Sequence, residues 1–294
     1  MMNKPKPSIY LEAKEEVELM AFLVAQFPKS RTNIKSLLQN KQVWVDGRAV
    51  SQYNYRLLTN QKIEIRTNKV HREPTYHGLT ILFEDAHLIV IDKQAGLLSM
   101  ATDKKDEQTA YRLLSLHVKQ QNPSNKVFIV HRLDRDTSGV MVFAKSEKIQ
   151  QLLQVSWEPT TKERTYLAVV EGVLGEPNGT VISYLKESKA LTVYSSLNPN
   201  QGQRAVTHYK TLKANAQYSM LEVKLETGRK NQIRVHCQDL GHPIVGDKKY
   251  GSSLNPMGRL GLHAYILGFV HPITNEKLRF ETKVPPSFLS LFKN

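Results

Sequence analysis

Short runs of β-branched and aromatic residues, each bounded by turn-forming residues, recur throughout the sequence beyond residue 80. The runs are ILFED at 81–85, LIVID at 88–92, VFIV at 127–130, GVMVFA at 139–144, RTYLAVVEG at 164–172, TVYSSL at 192–197, VTHYKTL at 206–212, YSMLEVKLE at 218–226 and KLRFETKV at 277–284. Such runs are typical of strands. Helical periodicity intervenes only at 107–120, at 147–156 and at about 229–240, which is too seldom for a doubly wound parallel fold. Residues 81–294 are therefore predicted to form an α+β domain around a mixed, largely antiparallel sheet.

A second, smaller unit is predicted at 14–67, behind a polar tail at 1–13. Its first helix is indicated by an apolar stripe at helical spacing. The stripe consists of Val17, Met20, Ala21 and Val24. Residues 68–80 are polar, contain a proline and show no apolar period, so they are predicted to link the two units.

The second helix of the smaller unit is predicted to begin after Ser30 as its N-cap. Its buried face is formed by Ile34, Leu37 and Leu38. Arg31 and Lys35 share another stripe, one turn apart. This helix therefore combines an apolar face with a basic one.

Two strands are predicted after these helices, VWV at 43–45 before the turn Asp46–Gly47 and KIEIR at 62–66. The order helix, helix, strand, turn, strand resembles the alpha-L RNA-binding module, named after small-subunit ribosomal protein S-four. The resemblance is carried by S-R-x-x-I-K-x-L-L at 30–38 and V-x-V-D-G at 43–47. It implies that the basic residues of the second helix, Arg31 and Lys35, bind RNA. The alternative is a small helical domain whose basic residues are only solvated surface.

The charge balance indicates a polyanionic partner. The chain has 41 Lys and Arg against 27 Asp and Glu, a formal net charge of +14, which fits a nucleic acid or an anionic membrane. No apolar run approaches membrane-spanning length and no signal peptide is visible, so a cytoplasmic location is predicted. The single cysteine, Cys237, lies in a helix-like setting, and the histidines lack metal-site spacing, so neither a metal nor a redox cofactor is expected.

The most informative stretch is VFIVHRLDRDTSGVMVFAKS at 127–146, where an apolar strand enters a polar loop and a second apolar strand leaves it. A scaffold, rather than solvent, positions polar residues in such a loop. Asp134 and Asp136 lie beside Arg132 and Arg135, whose positive charge favours an ionised carboxylate. An aspartate in this setting can act as a nucleophile or a base. The residues alone fit a salt-bridged structural connection equally well.

The loop sequence HRLDRDTSG matches the signature H-R-L-D-x-x-T-S-G of RluA-type pseudouridine synthases at every fixed position. The likeness continues in RTYLAVVEG at 164–172, TGRKNQIRVH at 227–236, LGHPIVGDKKYG at 240–251, LHA at 262–264 and HP at 271–272. It covers essentially residues 81–285. The resemblance implies a synthase domain with a central cleft and the isomerisation of uridine in RNA. In that reaction the base is detached at N1, turned and rejoined through carbon 5, and no cofactor is required.

The resemblance also implies roles for individual residues. Asp134 is the catalytic carboxylate, Tyr166 stacks on uracil and removes the carbon 5 proton, and Arg234 pairs with Asp134. Arg132 corresponds to the position that in some relatives enters the RNA helix in place of the flipped nucleotide. Further RNA contacts in this domain are predicted for Arg229, Lys230 and Lys93.

Two residues depart from the family pattern. Asn231 stands where relatives usually have histidine, and Gln94 stands where they usually have proline. An amide side chain does not titrate, so proton transfer at Asn231 is not expected. His131, between a strand and a turn, is expected to have a structural place.

Two other functions remain open. A catalytically silent RNA-binding or ribosome-associated factor would explain the charge, but not the retention of Asp134, Tyr166 and Arg234. A glycosidase-like hydrolase would use Asp134 and Asp136 as paired carboxylates, yet such a pair needs one raised and one lowered acidity, and arginines flank both. Among RNAs, large-subunit ribosomal RNA is the expected substrate and transfer RNA the alternative. A monomer is expected.

Overall fold

The computed structural model describes residues 8–40, 42–66, 76–101, 108–155, 157 and 161–293. The chain divides into two compact units, Met1–Thr75 and Tyr76–Asn294. Each unit buries its own set of apolar side chains.

The smaller unit joins two helices to short antiparallel strands. Its elements are β1 Ile9–Glu12, β2 Val17–Glu18, α1 Leu19–Gln26, α2 Arg31–Gln39, β3 Val43–Val45, β4 Arg48–Ala49, β5 Arg56–Leu57 and β6 Lys62–Ile65. One sheet has the order β1-β6-β3-β4, and β2 pairs with β5. The predicted order of two helices followed by strands around a tight turn is present.

Helix α2 follows the sequence pattern closely. The Ser30 hydroxyl accepts a hydrogen bond from the Asn33 amide at 3.3 Å, so Ser30 is the N-cap. Ile34 is fully buried, and Arg31 and Lys35 are exposed. The predicted apolar and basic faces of this helix are therefore both observed.

The predicted face of the first helix is wrong. Val17 lies in β2, before the helix begins at Leu19, and Val24 is 48% exposed. The buried side chains are instead Leu19, Met20, Phe22 and Leu23. The reason is the composition of α1, LMAFLVAQ, which is apolar nearly all round and does not mark one face by its periodicity.

The boundaries of the smaller unit also differ from the prediction. The predicted polar tail, 1–13, contains β1, which pairs with β6, and Ala13 is buried. Of the predicted linker, 68–80, the part up to residue 75 lies outside the described residues. Beyond it, Tyr76 packs against the core of the larger unit and β7 begins at Leu79, so the prediction is wrong there. β1 is largely exposed, which explains why its sequence looks like a tail.

The larger unit is built on one sheet. Its strands are β7 Leu79–Glu84, β8 Leu88–Lys93, β9 Phe128–Ile129, β10 Ser138–Ala144, β11 Thr161–Glu171, β12 Asn178–Glu187, β13 Val193–Ser196, β14 Gln203–Ala214, β15 Tyr218–Leu225, β16 Leu262–Val270 and β17 Lys277–Glu281. Its helices are α3 Ala110–Gln121, α4 Glu147–Val155, α5 Gln232–Asp239 and α6 Pro286–Ser290. The main strand order is β13-β12-β14-β15-β11-β16-β10-β8-β7, with β17 beside β16 and β9 beside β10.

The α+β prediction is confirmed. All the predicted apolar runs contain a strand, and the pairings between the described strands of this unit are antiparallel apart from the parallel pair β10–β16. The sequence patterns did not reveal β12, in which polar residues interrupt the apolar ones, or β16, which contains His263 and Gly268. α5 ends before Gly241, whose φ of 79° is left-handed, as its sequence indicated. No helix within the described ranges is long and apolar enough to span a membrane.

The parallel pair β10–β16 fixes one end of the polar loop at 131–137. Ser138 lies opposite His263, and Gly139 opposite Ala264. Gly139 has a φ of 115°, and a Cβ there would lie 2.0 Å from the Ala264 carbonyl oxygen, so only glycine fits. Ser138 Oγ and His263 Nδ1 are hydrogen-bonded at 2.7 Å. The T-S-G and L-H-A segments of the sequence therefore meet in the fold.

Candidate active site

A cavity of about 390 Å³ opens beside the 131–137 loop, and we call it the reaction cavity. Its lining includes Arg132, Asp134, Tyr166, Arg229, Lys230 and Arg234. These are the three predicted catalytic residues and three of the predicted RNA contacts. They come from the loop, from β11 and from the segment that enters α5, so residues distant in sequence converge on one space.

Hydrogen bonds to its backbone hold the loop around Asp134. The Ser99 hydroxyl donates to the Leu133 carbonyl at 2.7 Å and accepts from the Leu133 amide at 3.2 Å. The Gly96 amide donates to the Arg135 carbonyl at 2.9 Å. The Asp134 side chain remains 33% exposed. The carboxylate is thus positioned by fixed backbone while it stays accessible from the cavity.

Lys93 is part of this support, and its predicted contact with RNA is wrong. The side chain is 0% exposed. Its Nζ donates to the carbonyl oxygens of Leu97 at 2.7 Å, Arg135 at 3.0 Å and Gln94 at 3.1 Å. Burial lowers the pKa of this ammonium to about 8, against the opposing charges of Asp136 and Asp134. Lys93 therefore binds the loop from beneath.

Gln94, which stands where the family usually has proline, makes a backbone hydrogen bond that proline could not make. Its backbone amide donates to the Gly78 carbonyl at 2.8 Å. Proline, the usual family residue, has no amide hydrogen. In this chain the position thus ties the segment after β8 to the start of the larger unit.

Arg234 reaches Asp134 but binds another residue more closely. Its Nη1 lies 3.4 Å from Asp134 Oδ2. Its Nε and Nη2 donate to the two carboxylate oxygens of Asp247 at 2.6 and 2.8 Å, and the Asp247 side chain is 1% exposed. This bidentate pair fixes the guanidinium plane. The Tyr250 ring centroid lies 4.7 Å from the guanidinium carbon.

Asp247 and Tyr250 were not predicted as site residues, although G-D-K-K-Y-G was part of the family likeness. The sequence signal that could have identified Asp247 was its position as an acidic residue in a segment that matches the family.

Asn231 connects this network to the beginning of α5. Its φ of 55° is left-handed, a conformation that asparagine tolerates better than most residues. Its Oδ1 accepts from Arg234 Nη1 at 3.1 Å, and its Nδ2 donates to the Tyr250 hydroxyl at 2.9 Å. The amide that replaces the usual histidine thus bridges the arginine and the tyrosine beside it.

Tyr166 lies on β11 and lines the reaction cavity together with residues of the 131–137 loop and of α5. Burial raises the pKa of its phenol to about 12, and the nearby charge of Asp134 adds to this, while Arg164 opposes it. The phenol is therefore protonated at neutral pH. This state suits stacking on a base directly, whereas the predicted removal of a proton requires a partner that takes up the phenolic proton first.

The remaining predicted RNA contacts differ in their surroundings. Arg132 is exposed on the loop. Arg229 Nε donates to the Arg204 carbonyl at 3.2 Å, and the Lys230 ammonium pairs with Glu187. Contacts of these side chains with RNA stay a prediction.

Asp136, His131 and Cys237 take no direct part in the reaction cavity. Asp136 is exposed and is not among the described residues that line it. His131 Nε2 accepts from the Val142 amide at 3.1 Å, which is the structural place expected for it. Cys237 is buried in α5, and burial raises the pKa of its thiol to about 12, so it is not a nucleophile. The paired carboxylates of a glycosidase are therefore not assembled here.

The comparison with known families decides the class of this site. The family described as RNA pseudouridylate synthase matches residues 87–239, more than half of the chain. The chain belongs to this family.

A Bacillus subtilis protein named uncharacterized RNA pseudouridine synthase YhcT is 40% identical over 220 residues, which are 74% of this chain and 72% of the relative. Ribosomal large subunit pseudouridine synthase D of Nitrosomonas europaea is 32% identical over 289 residues, 94% of this chain and 83% of the relative. The solved structure of human RNA pseudouridylate synthase domain containing 4 superposes with a TM-score of 0.59 at 25% identity, over 71% of this chain and 90% of that one.

The geometry suits the chemistry of an RNA pseudouridine synthase. Detachment of uracil from its ribose places negative charge on the base, and Arg234 contributes a positive charge to the lining of the same cavity. Leu225, Ile233 and Leu262 supply an apolar part of the lining, against which a flat base can pack. Within the described part of the chain, no cluster of His, Cys, Asp and Glu has the arrangement of a metal site.

Proposed function

We propose that this pseudouridine synthase isomerises specific uridines of large-subunit ribosomal RNA, with Asp134 as its catalytic carboxylate. The observation that carries the proposal is the convergence of Asp134, Tyr166 and Arg234 on one cavity. The ribosomal target is supported by relatives named ribosomal large subunit pseudouridine synthase D, in Nitrosomonas europaea and Zymomonas mobilis. A cytoplasmic location and a monomeric enzyme belong to the same proposal.

In the proposed reaction, the Asp134 carboxylate starts cleavage of the bond between N1 of uracil and the ribose. Its exposed edge faces the cavity, and Arg234 lies 3.4 Å from its Oδ2. Tyr166 stacks on the detached base while the base turns. Carbon 5 then forms the new bond to the same ribose carbon, the proton that carbon 5 carried is lost, and N1 takes up a proton. The product has the same atoms as the substrate.

Access to a stacked uridine requires that the nucleotide be extruded, at a cost of about a few kcal/mol. Arg132 is exposed at the rim of the reaction cavity, two residues before Asp134. We assign it the space that the extruded nucleotide leaves in the RNA helix. A planar guanidinium can stack on the neighbouring bases there.

The smaller unit is assigned to RNA binding, as an alpha-L module. Arg31 and Lys35 are exposed on α2, on a face separate from buried Ile34 and Leu38. Contacts with phosphates dominate affinity for nucleic acids and position the protein without reading sequence. This unit therefore supplies affinity, and the reaction cavity supplies chemistry.

The test maps pseudouridines in total RNA from cells that lack the protein and from the same cells complemented with variants. We expect sites in large-subunit ribosomal RNA to disappear on deletion, and to return with the native protein and with Asp136→Asn but not with Asp134→Asn. Restoration by Asp134→Asn would overturn the catalytic assignment. Loss confined to transfer RNA would overturn the target, and no lost site at all would favour a binding-only factor.

A further inference from the structure

A second cavity, of about 340 Å³, adjoins the reaction cavity, and we call it the side cavity. The two share Arg132, Tyr166, Leu225, Gly228 and Arg229 in their walls, but Asp134 lines only the reaction cavity. The reaction as described uses no part of the side cavity beyond these shared residues. Its volume is within the range of about 300–1,000 Å³ typical of small-molecule sites.

The charge of the side cavity favours an anion. Three guanidinium groups line it, those of Arg132, Arg164 and Arg229, and its described lining contains no carboxylate. Arg164 is held in place, because its Nη2 donates to the Glu226 carbonyl at 2.5 Å and lies 3.4 Å from the Leu225 carbonyl. Planar guanidinium groups match phosphate oxygens well.

The rest of the lining favours a flat apolar ring. The rings of Trp157 and His131 stack with their centroids 4.8 Å apart and their planes 30° apart. Val140, Ala264 and Ile266 add aliphatic surface. Burial, together with the charge of Arg164, lowers the pKa of His131 to about 4, so this aromatic wall is neutral at physiological pH. Proteins that bind single-stranded nucleic acid stack bases on aromatic side chains and contact the phosphates with basic side chains. The side cavity offers both kinds of side chain.

We propose that the side cavity binds the nucleotide next to the target uridine in the same RNA strand, with its base against Trp157 and its phosphate at Arg164. The inference rests on the proposed placement of the target uridine beside Asp134. A neighbouring nucleotide is favoured over a free one because the two cavities are adjacent and share a wall that includes Tyr166. The side cavity thus takes up a second unstacked base, and stacking inside the protein offsets the cost of that extrusion. It also makes the identity of the neighbour matter for substrate choice.

The test combines protein variants with modified substrates built around a mapped target uridine. One RNA is intact, and two others lack the base immediately 5′ or immediately 3′ of the uridine. Trp157→Ala is compared with Trp157→Phe, which keeps an aromatic ring, and with Tyr111→Ala, which removes an exposed aromatic residue of α3 that lines neither cavity. The kcat/KM for pseudouridine formation is measured for each enzyme, native or variant, with each of the three RNAs.

On intact RNA we expect Trp157→Ala to lower kcat/KM about tenfold, the size of one base–aromatic stack. Trp157→Phe and Tyr111→Ala should stay close to the native value. The native enzyme should lose about tenfold on one of the two RNAs that lack a base, and Trp157→Ala should lose nothing further on that RNA. Equal native activity on all three RNAs overturns the proposal. So does a loss in Trp157→Ala that is the same on every RNA.

Two further readouts apply if Trp157→Ala does not fold or if Asp134 is not the catalytic residue. If Trp157→Ala does not fold, judged by its thermal midpoint, the native enzyme on the three RNAs still decides. Affinity of the Asp134→Asn protein for the same RNAs reports the side cavity without turnover. A preference for intact RNA there supports the side cavity even if Asp134 is not the catalytic residue, and equal affinities for all three overturn it.

Discussion

Two regions of the larger unit meet at the reaction cavity, and they are held in different ways. The 131–137 loop is fixed through its backbone, whose carbonyls accept hydrogen bonds from Ser99 and Lys93. The start of α5 is fixed through side chains, where Asp247 and Asn231 bind Arg234. A loop held by backbone contacts should keep its conformation when side chains within it are changed. A site held by one buried ion pair should fail when either partner is lost.

The largest expected effect comes from Asp247→Ala, which breaks the ion pair beneath Arg234. Removal of one partner of a buried pair costs about 3–5 kcal/mol, because the other charge is left without compensation. We expect the free energy of unfolding in urea to fall by this amount, and pseudouridine formation to be lost because Arg234 no longer keeps its orientation. The matched control is Asp239→Ala at the end of α5, whose exposed carboxylate accepts only from Ser195 in the described contacts. A stable Asp247→Ala protein with native activity would contradict this account of α5.

Next is Gly139→Ala, which tests the junction between the loop and β16. The new Cβ would meet the Ala264 carbonyl at 2.0 Å, in a backbone conformation with positive φ. We expect destabilisation of about 2–4 kcal/mol in urea. Gly258→Ala separates the two causes, because Gly258 has a φ of 65° but open space around its Cβ position. Equal losses for both variants would show that the close approach of β10 and β16 contributes nothing.

Asp247 and Lys93 show which parts of the site could not be predicted from the sequence. Asp134, Tyr166 and Arg234 were predicted from contiguous motifs, and the three line one cavity. The role of Asp247 depends on a tertiary contact with Arg234, which no local pattern contains. Lys93 was predicted wrongly, because a lysine between polar residues looks exposed. It is buried by carbonyl groups that the chain brings to it from Leu97 and from the distant loop.

A smaller effect is expected for Lys93→Met, which removes the donor beneath the loop. Carbonyl oxygens left without a partner cost about 1–3 kcal/mol. The difference in unfolding free energy from the native protein should depend on pH. The folded pKa of Lys93, about 8, lies below its ordinary value of 10.5, so between these values the unfolded chain holds a proton that the folded chain lacks.

Native stability should therefore rise relative to Lys93→Met as pH increases from about 8 to about 10.5, and this gain should be lost as pH falls through 8. Urea denaturation at several pH values measures it. Lys119→Met, which changes an exposed lysine of α3, is the control and should follow the native profile. A difference for Lys93→Met that is constant over this range would contradict the lowered pKa of Lys93.

The smallest effect is expected at Asn231, whose side chain binds both Arg234 and Tyr250. Asn231→Ala removes the acceptor for Arg234 and the donor to Tyr250, but leaves the bidentate pair with Asp247. We expect a loss of about 1 kcal/mol, seen as a several-fold lower kcat with an unchanged KM, because only the orientation of Arg234 toward Asp134 changes. Asn231→His, which restores the usual family residue, should recover most of the activity, since an imidazole offers a donor and an acceptor at the same place. A larger loss in the histidine variant than in the alanine variant would mean that the larger imidazole does not fit between Arg234 and Tyr250, because histidine tolerates a left-handed backbone at least as well as alanine.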